Sequence, residues 1–520
     1  MSFNNPIVLN YKLKQVYESI LKKDLKFFDL IPDLQTTEQF EKENEPFLNY
    51  SFKNKSTNKI IKKLIEKQTN LNWIDKNRNN SLHSALKNKY PNEIIELLIS
   101  KGSDINLKNN ENEIPLHIAL KNKSPKEIIK LLIEKGSDIN SKNNQNEIPL
   151  HIALRNKYPK KIIELLIEKG SDINLKNNEN EIPLHIALIY NNPKEIIELL
   201  IPKGSDINSK NNENVLSLHI ALKNQNPKEI IELLISKCSD INSKNYINET
   251  PLHIALKNKY PKEIIELLIS KGSDINSKNN ENEIPLYIAL RNKNTKEIIE
   301  LLIEKGSDIN SKNKWNEIPL HIALRYKNTK EIIELLISKD SDINSKNKWN
   351  EIPLHIALKY KYPKEIIELL IDKGSNINLK NDLNEIPLYV GLKNKNTKEI
   401  IELLISKGSD INSKNNLNEI PLHIALENKY PKEIIKLLIS KGSDINSKNK
   451  WNEIPLHITF QNKYPNEIKI MLLRDLNIFE LKQNEIYQEM IDLFPKIYSF
   501  NDDLNNFLKS NDFTDIEIQK

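Results

Sequence analysis

Every histidine of the chain, ten in all, falls on one ladder of positions 34 residues apart: His83, His117, His151, His185, His219, His253, His321, His355, His423 and His457. The two empty rungs hold Tyr287 and Tyr389. A side chain held at one place in a repeating unit serves the architecture, so the residue type most often recruited for acid–base or metal chemistry is already committed. The period predicts a solenoid whose units bury apolar surface only against their neighbours, drawn out into one elongated body rather than several globular domains.

The unit from Ile114 to Glu147 shows how each repeat is built. It opens with Pro-Leu-His-Ile-Ala-Leu, passes through a basic stretch to Pro125, continues as Glu-Ile-Ile-Lys-Leu-Leu-Ile to Gly136, and ends in a polar loop. Two short helices and a hairpin-like loop fit this pattern. Pro115 and Pro125 suit first turns, where a missing N–H has no partner to lose. Leu116, Ile118, Ala119 and Leu120 make one apolar face. Ile128, Ile129, Leu131, Leu132 and Ile133 make a band wide enough to need cover from two sides. Nine of the ten glycines follow the second helix at the left-handed C′ position, where Cys238 and Asp340 stand in two repeats and predict local weakness.

These segments, with the Leu-Leu-Ile-Ser-Lys-Gly-Ser-Asp-Ile-Asn run, resemble the ankyrin repeat, whose signature is Thr-Pro-Leu-His-x-Ala followed by two helices. Tetratricopeptide repeats share the period, but their Trp, Gly and Tyr pattern is missing. The resemblance implies an all-α solenoid of helix-turn-helix repeats with short β-hairpin loops and helical caps at both ends. Two departures stand out. One extra residue lies between the helices, near Tyr90-Pro91 or Asn294-Thr295, and the threonine before the proline survives only as Thr250. Elsewhere it is usually Ile, as at Ile114, Ile148 and Ile182, which removes a hydroxyl cap worth about 1 kcal/mol unless something replaces it. The histidine is left to bond the backbone of the hairpin.

The expected organisation is a helical cap over 1–40, a repeat array over 41–474 and a helical tail over 475–520. Within the array, 41–74 is a degenerate first repeat and 75–474 holds twelve clear ones. Leu48, Ser51, Phe52, Ile60, Ile61, Leu64 and Ile65 carry the register back into the degenerate repeat. The segments 502–508 and 512–518 resemble the first helix and first strand of a BTB/POZ domain, a fold that needs on the order of 100 residues. A polar tail with chance similarity is the alternative.

Where almost every rung repeats, the varying positions carry information. Four residues before each proline, at the hairpin tip, the array reads Asn77, Glu111, Gln145, Glu179, Glu213, Ile247, Glu281, Trp315, Trp349, Leu383, Leu417 and Trp451. Three of the four tryptophans are in that series, so its second half turns apolar. Recent duplication would account for Trp315 and Trp349, whose units are nearly identical, and packing of each tip on the next hairpin is a further alternative. In ankyrin proteins the tips and the adjoining first-helix surface form the recognition face, and five apolar tips spaced about 10 Å apart would make a ridge about 40 Å long. Beside it runs a basic row that includes Arg325, Lys359 and Lys393, interrupted at Ile189, Glu427 and Gln461. A solvated lysine-rich face and a groove that draws in acidic segments are its two readings.

No Gly-rich phosphate loop, no Cys/His cluster and no histidine off the ladder supports catalysis, a cofactor or a metal. Formal charge is +6 with 28% charged residues, in a composition rich in Lys, Asn and Ile. Net charge therefore says little about partners. A single cysteine, no apolar leader and no long apolar run point to a reducing compartment, the cytoplasm with the nucleus open. The expected function is a non-catalytic scaffold that binds other proteins through the tips and the concave first-helix face. A substrate adaptor of a ubiquitin ligase, suggested by the BTB-like end, and a polyanion or nucleic-acid binder using the basic row are the alternatives. No small-molecule substrate and no membrane are expected.

Overall fold

The computed structural model describes residues 14–15, 18–23, 47–67, 70–237 and 239–473. Cys238, the BTB-like segments, the tail over 475–520 and most of the cap over 1–40 lie outside them. Every regular element among the described residues is helical. The chain forms two compact units, 1–274 and 275–520.

In the first unit the helices come in pairs, from Phe47–Lys53 with Asn58–Glu66 to Pro251–Lys257 with Lys262–Ser270. In the second they run from Pro285–Arg291 with Lys296–Glu304 to Pro455–Gln461 with Asn466–Leu473. Within each unit first helices pack side by side in one layer and second helices in another, the stacking of a solenoid.

Burial follows the sequence pattern. Leu116, Ala119 and Leu120 are closed off from solvent, as are Ile128, Ile129 and Leu132 of the partner helix, while Leu131 is only half-buried. Leu48, Phe52, Ile60, Ile61 and Leu64 of the degenerate repeat are equally buried. Pro115 occupies the first helical position as expected, whereas Pro125 sits one residue earlier, at the N-cap of Lys126–Glu134. Its extended ψ lets the chain turn the corner before the helix begins.

The histidines replace the missing hydroxyl cap. In the second unit the Ile318 N–H donates to Nδ1 of His321 at 3.3 Å, and the Ile352 N–H to Nδ1 of His355 at 3.3 Å. An accepting Nδ1 leaves the proton on Nε2, which donates to the carbonyl of Glu351 at 3.2 Å and of Glu385 at 3.1 Å, each in the following repeat. One neutral imidazole thus satisfies a helix start and ties two repeats together. At the one surviving threonine, Thr250 Oγ1 lies 2.8 Å from His253 Nδ1.

Asparagines make the other inter-repeat ties. Asn310 donates through Nδ2 to the Asp340 carbonyl at 3.1 Å while its Oδ1 accepts the Asp342 N–H at 2.8 Å. Asn344 and Asn412 clamp Gly374 and Gly442 in the same way. The extra residue between the helices leaves a buried anchor: Asn328 Nδ2 reaches back to the Leu290 carbonyl at 3.0 Å and Tyr362 Oη to the Ala323 carbonyl at 3.3 Å.

Two repeats carry a strained residue or a glycine inside a helix. Asp340 adopts φ +66° where Gly374 and its counterparts sit near +94°. Asp340→Gly is expected to raise stability by up to about 1 kcal/mol in urea denaturation, since the left-handed region penalises a Cβ. Gly391 lies inside the helix Pro387–Lys393, and a Cβ there would meet Ile401 Cδ1 at 3.3 Å, Leu404 Cδ1 at 3.4 Å and Leu358 Cδ2 at 3.6 Å. Ile401 and Leu404 must give by a few tenths of an ångström in a closed core, so Gly391→Ala should gain only part of the helix propensity of about 1 kcal/mol, read as a slightly higher melting temperature.

Candidate functional site

The tip of each hairpin is held by an asparagine two residues before it. Asn313 Oδ1 accepts the N–H of Trp315 at 2.9 Å and of Glu317 at 2.9 Å, closing a turn that fixes the direction of the tip side chain. Adjacent tips are then stitched through the backbone. Lys348 N–H donates to the Trp315 carbonyl at 2.8 Å, Asp382 to Trp349 at 3.1 Å, Asn416 to Leu383 at 3.0 Å and Lys450 to Leu417 at 2.8 Å. The structure therefore places Trp315, Trp349, Leu383, Leu417 and Trp451 in one row along the second unit.

These side chains are not sealed against the next hairpin. Trp349 is 40% exposed, Leu383 51% and Trp451 55%, while Trp315 and Leu417 are half-buried. Cations cover the indoles in part. Lys314, Lys348 and Lys450 nitrogens lie 4.8, 5.0 and 4.5 Å from the Trp315, Trp349 and Trp451 ring centres. Such contacts hold a ring in place at about 0.5–1 kcal/mol each when exposed.

The basic row has a structural task that its sequence did not disclose. Arg325 pairs with Glu317, Lys359 with Glu351 at 3.1 Å, and Lys393 with Glu385 at 2.6 Å, all eight residues apart within one repeat. Glu317 and Glu385 are buried and Glu351 is half-buried, with the cations lying across them. At Glu351, burial works against the charge, but Asn347 and Lys359 outweigh it and hold the carboxyl below its ordinary value. At these three rungs the row is a series of locally neutral pairs, which weakens the electrostatic basis expected there for drawing in an acidic segment. Arg325 adds one link, its guanidinium lying 5.9 Å from the Trp349 ring centre, so the row and the ridge touch. The second-helix face is balanced likewise by pairs such as Lys296–Glu300 and Lys330–Glu334.

The row breaks twice at its far end. Glu427 stands where the cation for Glu419 would be, and Gln461 where the cation for Glu453 would be. Glu419 is 3% exposed and is held instead by Tyr389 Oη at 2.6 Å and Asn415 Nδ2 at 2.9 Å. Gln461 Nε2 donates to Glu453 at 2.7 Å. Burial first, then the charges of Glu419 and Glu453, push the Glu427 carboxyl well above the usual carboxylate range. The interruptions are visible in sequence, but their meaning depends on the glutamate eight residues earlier, a pairing that shows only in the fold.

Among the described residues no group of three or more His, Cys, Asp or Glu is placed to hold a metal ion. No helix among them is long and apolar enough to cross a membrane.

The family model for ankyrin repeats in sets of three matches in overlapping steps, 48–143, 91–177, 116–211, 150–245, 218–313, 286–381 and 320–415. The single ankyrin repeat model matches 418–450. The chain belongs to the ankyrin-repeat family. Successive matches such as 116–211 and 150–245 advance by the period of the histidine ladder, so the ankyrin register and the imidazole register are one. A comparison with curated proteins gives no match. Ankyrin repeats serve in general as protein–protein interaction scaffolds, and their role is generally non-catalytic.

Proposed function

We propose that this ankyrin protein is a non-catalytic scaffold that captures a protein partner on the tip row of its second unit, with Trp315, Trp349, Leu383, Leu417 and Trp451 as apolar contacts. The observation that carries this reading is the exposure of Trp349, Leu383 and Trp451 in a row whose backbone is already tied from tip to tip. A surface fixed in advance loses little entropy on binding, and tryptophan is among the residues that contribute most at interfaces. Arg325, Lys359 and Lys393 belong to the same face, less as free charges than as the polar rim beside the indoles.

A cytoplasmic setting accompanies this reading, supported by a single cysteine in 520 residues. The observations favour the scaffold over a polyanion binder, because Arg325, Lys359 and Lys393 are each neutralised by a glutamate of their own repeat. The test is capture of partners from native extract by the wild-type chain and by a variant carrying Trp315→Ala, Trp349→Ala and Trp451→Ala. Loss of a captured protein from the variant supports the site, and an unchanged set overturns it.

A further inference from the structure

The ankyrin array contains its own template for a cation seated on this face. Within the second unit, the helix that starts after each tip carries Arg291, Arg325, Lys359 or Lys393 at its last residue, and each lies on a largely enclosed glutamate of the same repeat: Glu283 at 2.6 Å, Glu317, Glu351 at 3.1 Å and Glu385 at 2.6 Å. In the next repeat the glutamate is kept as Glu419, as buried as the others, but the cation is replaced by the carboxyl of Glu427. The repeat after that keeps Glu453 and offers only the amide of Gln461. The nearest cation of the row, Lys393, is engaged by Glu385.

The break adjoins Trp451, the most exposed of the apolar tips. Leu417 begins the repeat that holds Glu419 and Glu427, and Trp451, 55% exposed, begins the one that holds Glu453. The two tips are joined by the Lys450 to Leu417 backbone bond, and the helices Pro421–Glu427 and Pro455–Gln461 behind them pack side by side. An apolar wall and a carboxyl-lined floor therefore adjoin. Two carboxyls crowded without a cation are an unfavourable arrangement for the free protein, and a guanidinium or ammonium brought from outside relieves it. Inside the floor Glu419 is served by the Tyr389 hydroxyl and Asn415 Nδ2, and Glu453 by Gln461 Nε2, neutral donors that bring no positive charge.

We propose that the surface formed by Glu419, Glu427 and Glu453 beneath Leu417 and Trp451 receives a basic side chain of the partner protein, an arginine or lysine flanked by an aliphatic residue, which completes the ion pair the array omits. This rests on the tip-row reading and names the chemistry of its occupant. The partner segment is basic where the sequence had suggested an acidic one.

The probe is a fluorescent synthetic peptide of alternating arginine, serine and leucine, titrated into the full chain beside a peptide with glutamate in place of arginine. Glu427→Lys supplies the missing cation from within and re-creates the pair seen at Lys393, so this variant should melt at or above the wild-type temperature. It is expected to weaken the arginine peptide by at least about tenfold, because the incoming charge meets a satisfied floor and a like charge. The wild type should bind the arginine peptide and not the glutamate one. Unchanged affinity in Glu427→Lys, equal binding of the two peptides, or binding of neither overturns the proposal. The triple tryptophan variant separates the two readings. If it loses peptide while Glu427→Lys keeps it, the tip row stands and the basic occupant falls. If the reverse holds, the carboxyl floor binds a basic segment without the tips.

Discussion

Lowering the pH from 8 to 5 is expected to unfold this protein progressively. Burial holds the imidazoles of His83, His117, His151, His185 and His219 near a pKa of about 4, and those of His321 and His355 near the same value. Burial also lowers His423 and His457. In the unfolded chain each of these rings titrates near 6.5. Between about 6.5 and 4 the unfolded state therefore binds protons that the folded state refuses, so stability is full above 6.5 and falls as the pH drops through that window. A ring shifted from 6.5 to 4 costs about 2 kcal/mol at pH 5 relative to pH 8. Rings lowered in this way lie in both units, so the loss is spread along the array. Because repeats depend on their nearest neighbours, fraying rather than one cooperative transition is the expected form.

The cause is geometric. Nδ1 of His117, His151, His219, His321, His355 and His423 already accepts a backbone N–H, so a protonated ring there would turn a donor toward a donor and lose the helix start together with its charge solvation. Helix content followed by circular dichroism in urea at pH 8, 6 and 5 reads the effect. The chain also supplies the control. Tyr287 fills the histidine rung, and its hydroxyl donates to the Ser311 carbonyl at 2.6 Å without a proton to gain in this range. His355→Tyr should remove one ring's share of the pH dependence. Stability that stays level down to pH 5 would mean that the imidazoles are not buried in neutral form.

Most of the fold was legible because it rests on positions that recur. The ladder of histidines, the prolines at Pro115 and Pro319, and the wide apolar band of Ile128, Ile129 and Leu132 each mark one place in the unit, and repetition turns a weak local signal into a register. What remained illegible was of a different physical kind. Asn310, Asn344 and Asn412 looked like products of composition, yet their amides clamp the next repeat 30 residues on, a contact with no local pattern to announce it. Asn313 hides in the same polar loop while it fixes the direction of Trp315. The basic row misled for a related reason. Arg325, Lys359 and Lys393 read as a charged surface because the partner glutamate lies across a turn, eight residues before each, where neither helical nor strand spacing places a neighbour. Only the fold brings Glu317, Glu351 and Glu385 under them. The tips were legible as a series of exceptions, Trp315 to Trp451, although their exposure was not. Packing against the next hairpin and projection from it fit the same letters.

That projection gives the triple variant Trp315→Ala, Trp349→Ala, Trp451→Ala its expected outcome. Each indole stands on a tip that an asparagine turn holds from below, Asn313, Asn347 or Asn449, and those turns use main-chain N–H groups that alanine retains. The fold should lose only the partial packing of Trp315 and the lysine contacts over the rings, about 0.5–1 kcal/mol at each site. A partner seated on the row would lose far more, since truncating a buried interface tryptophan costs about 2 kcal/mol or more, which is some thirtyfold in affinity for a single site. The two effects differ enough to be read separately, one as a small shift in melting temperature and the other as disappearance of a captured protein. Equal melting with lost capture assigns the row to recognition. A large fall in melting temperature with capture intact would instead make the indoles packing elements of the hairpins, and recognition would then have to reside on another face of the repeats.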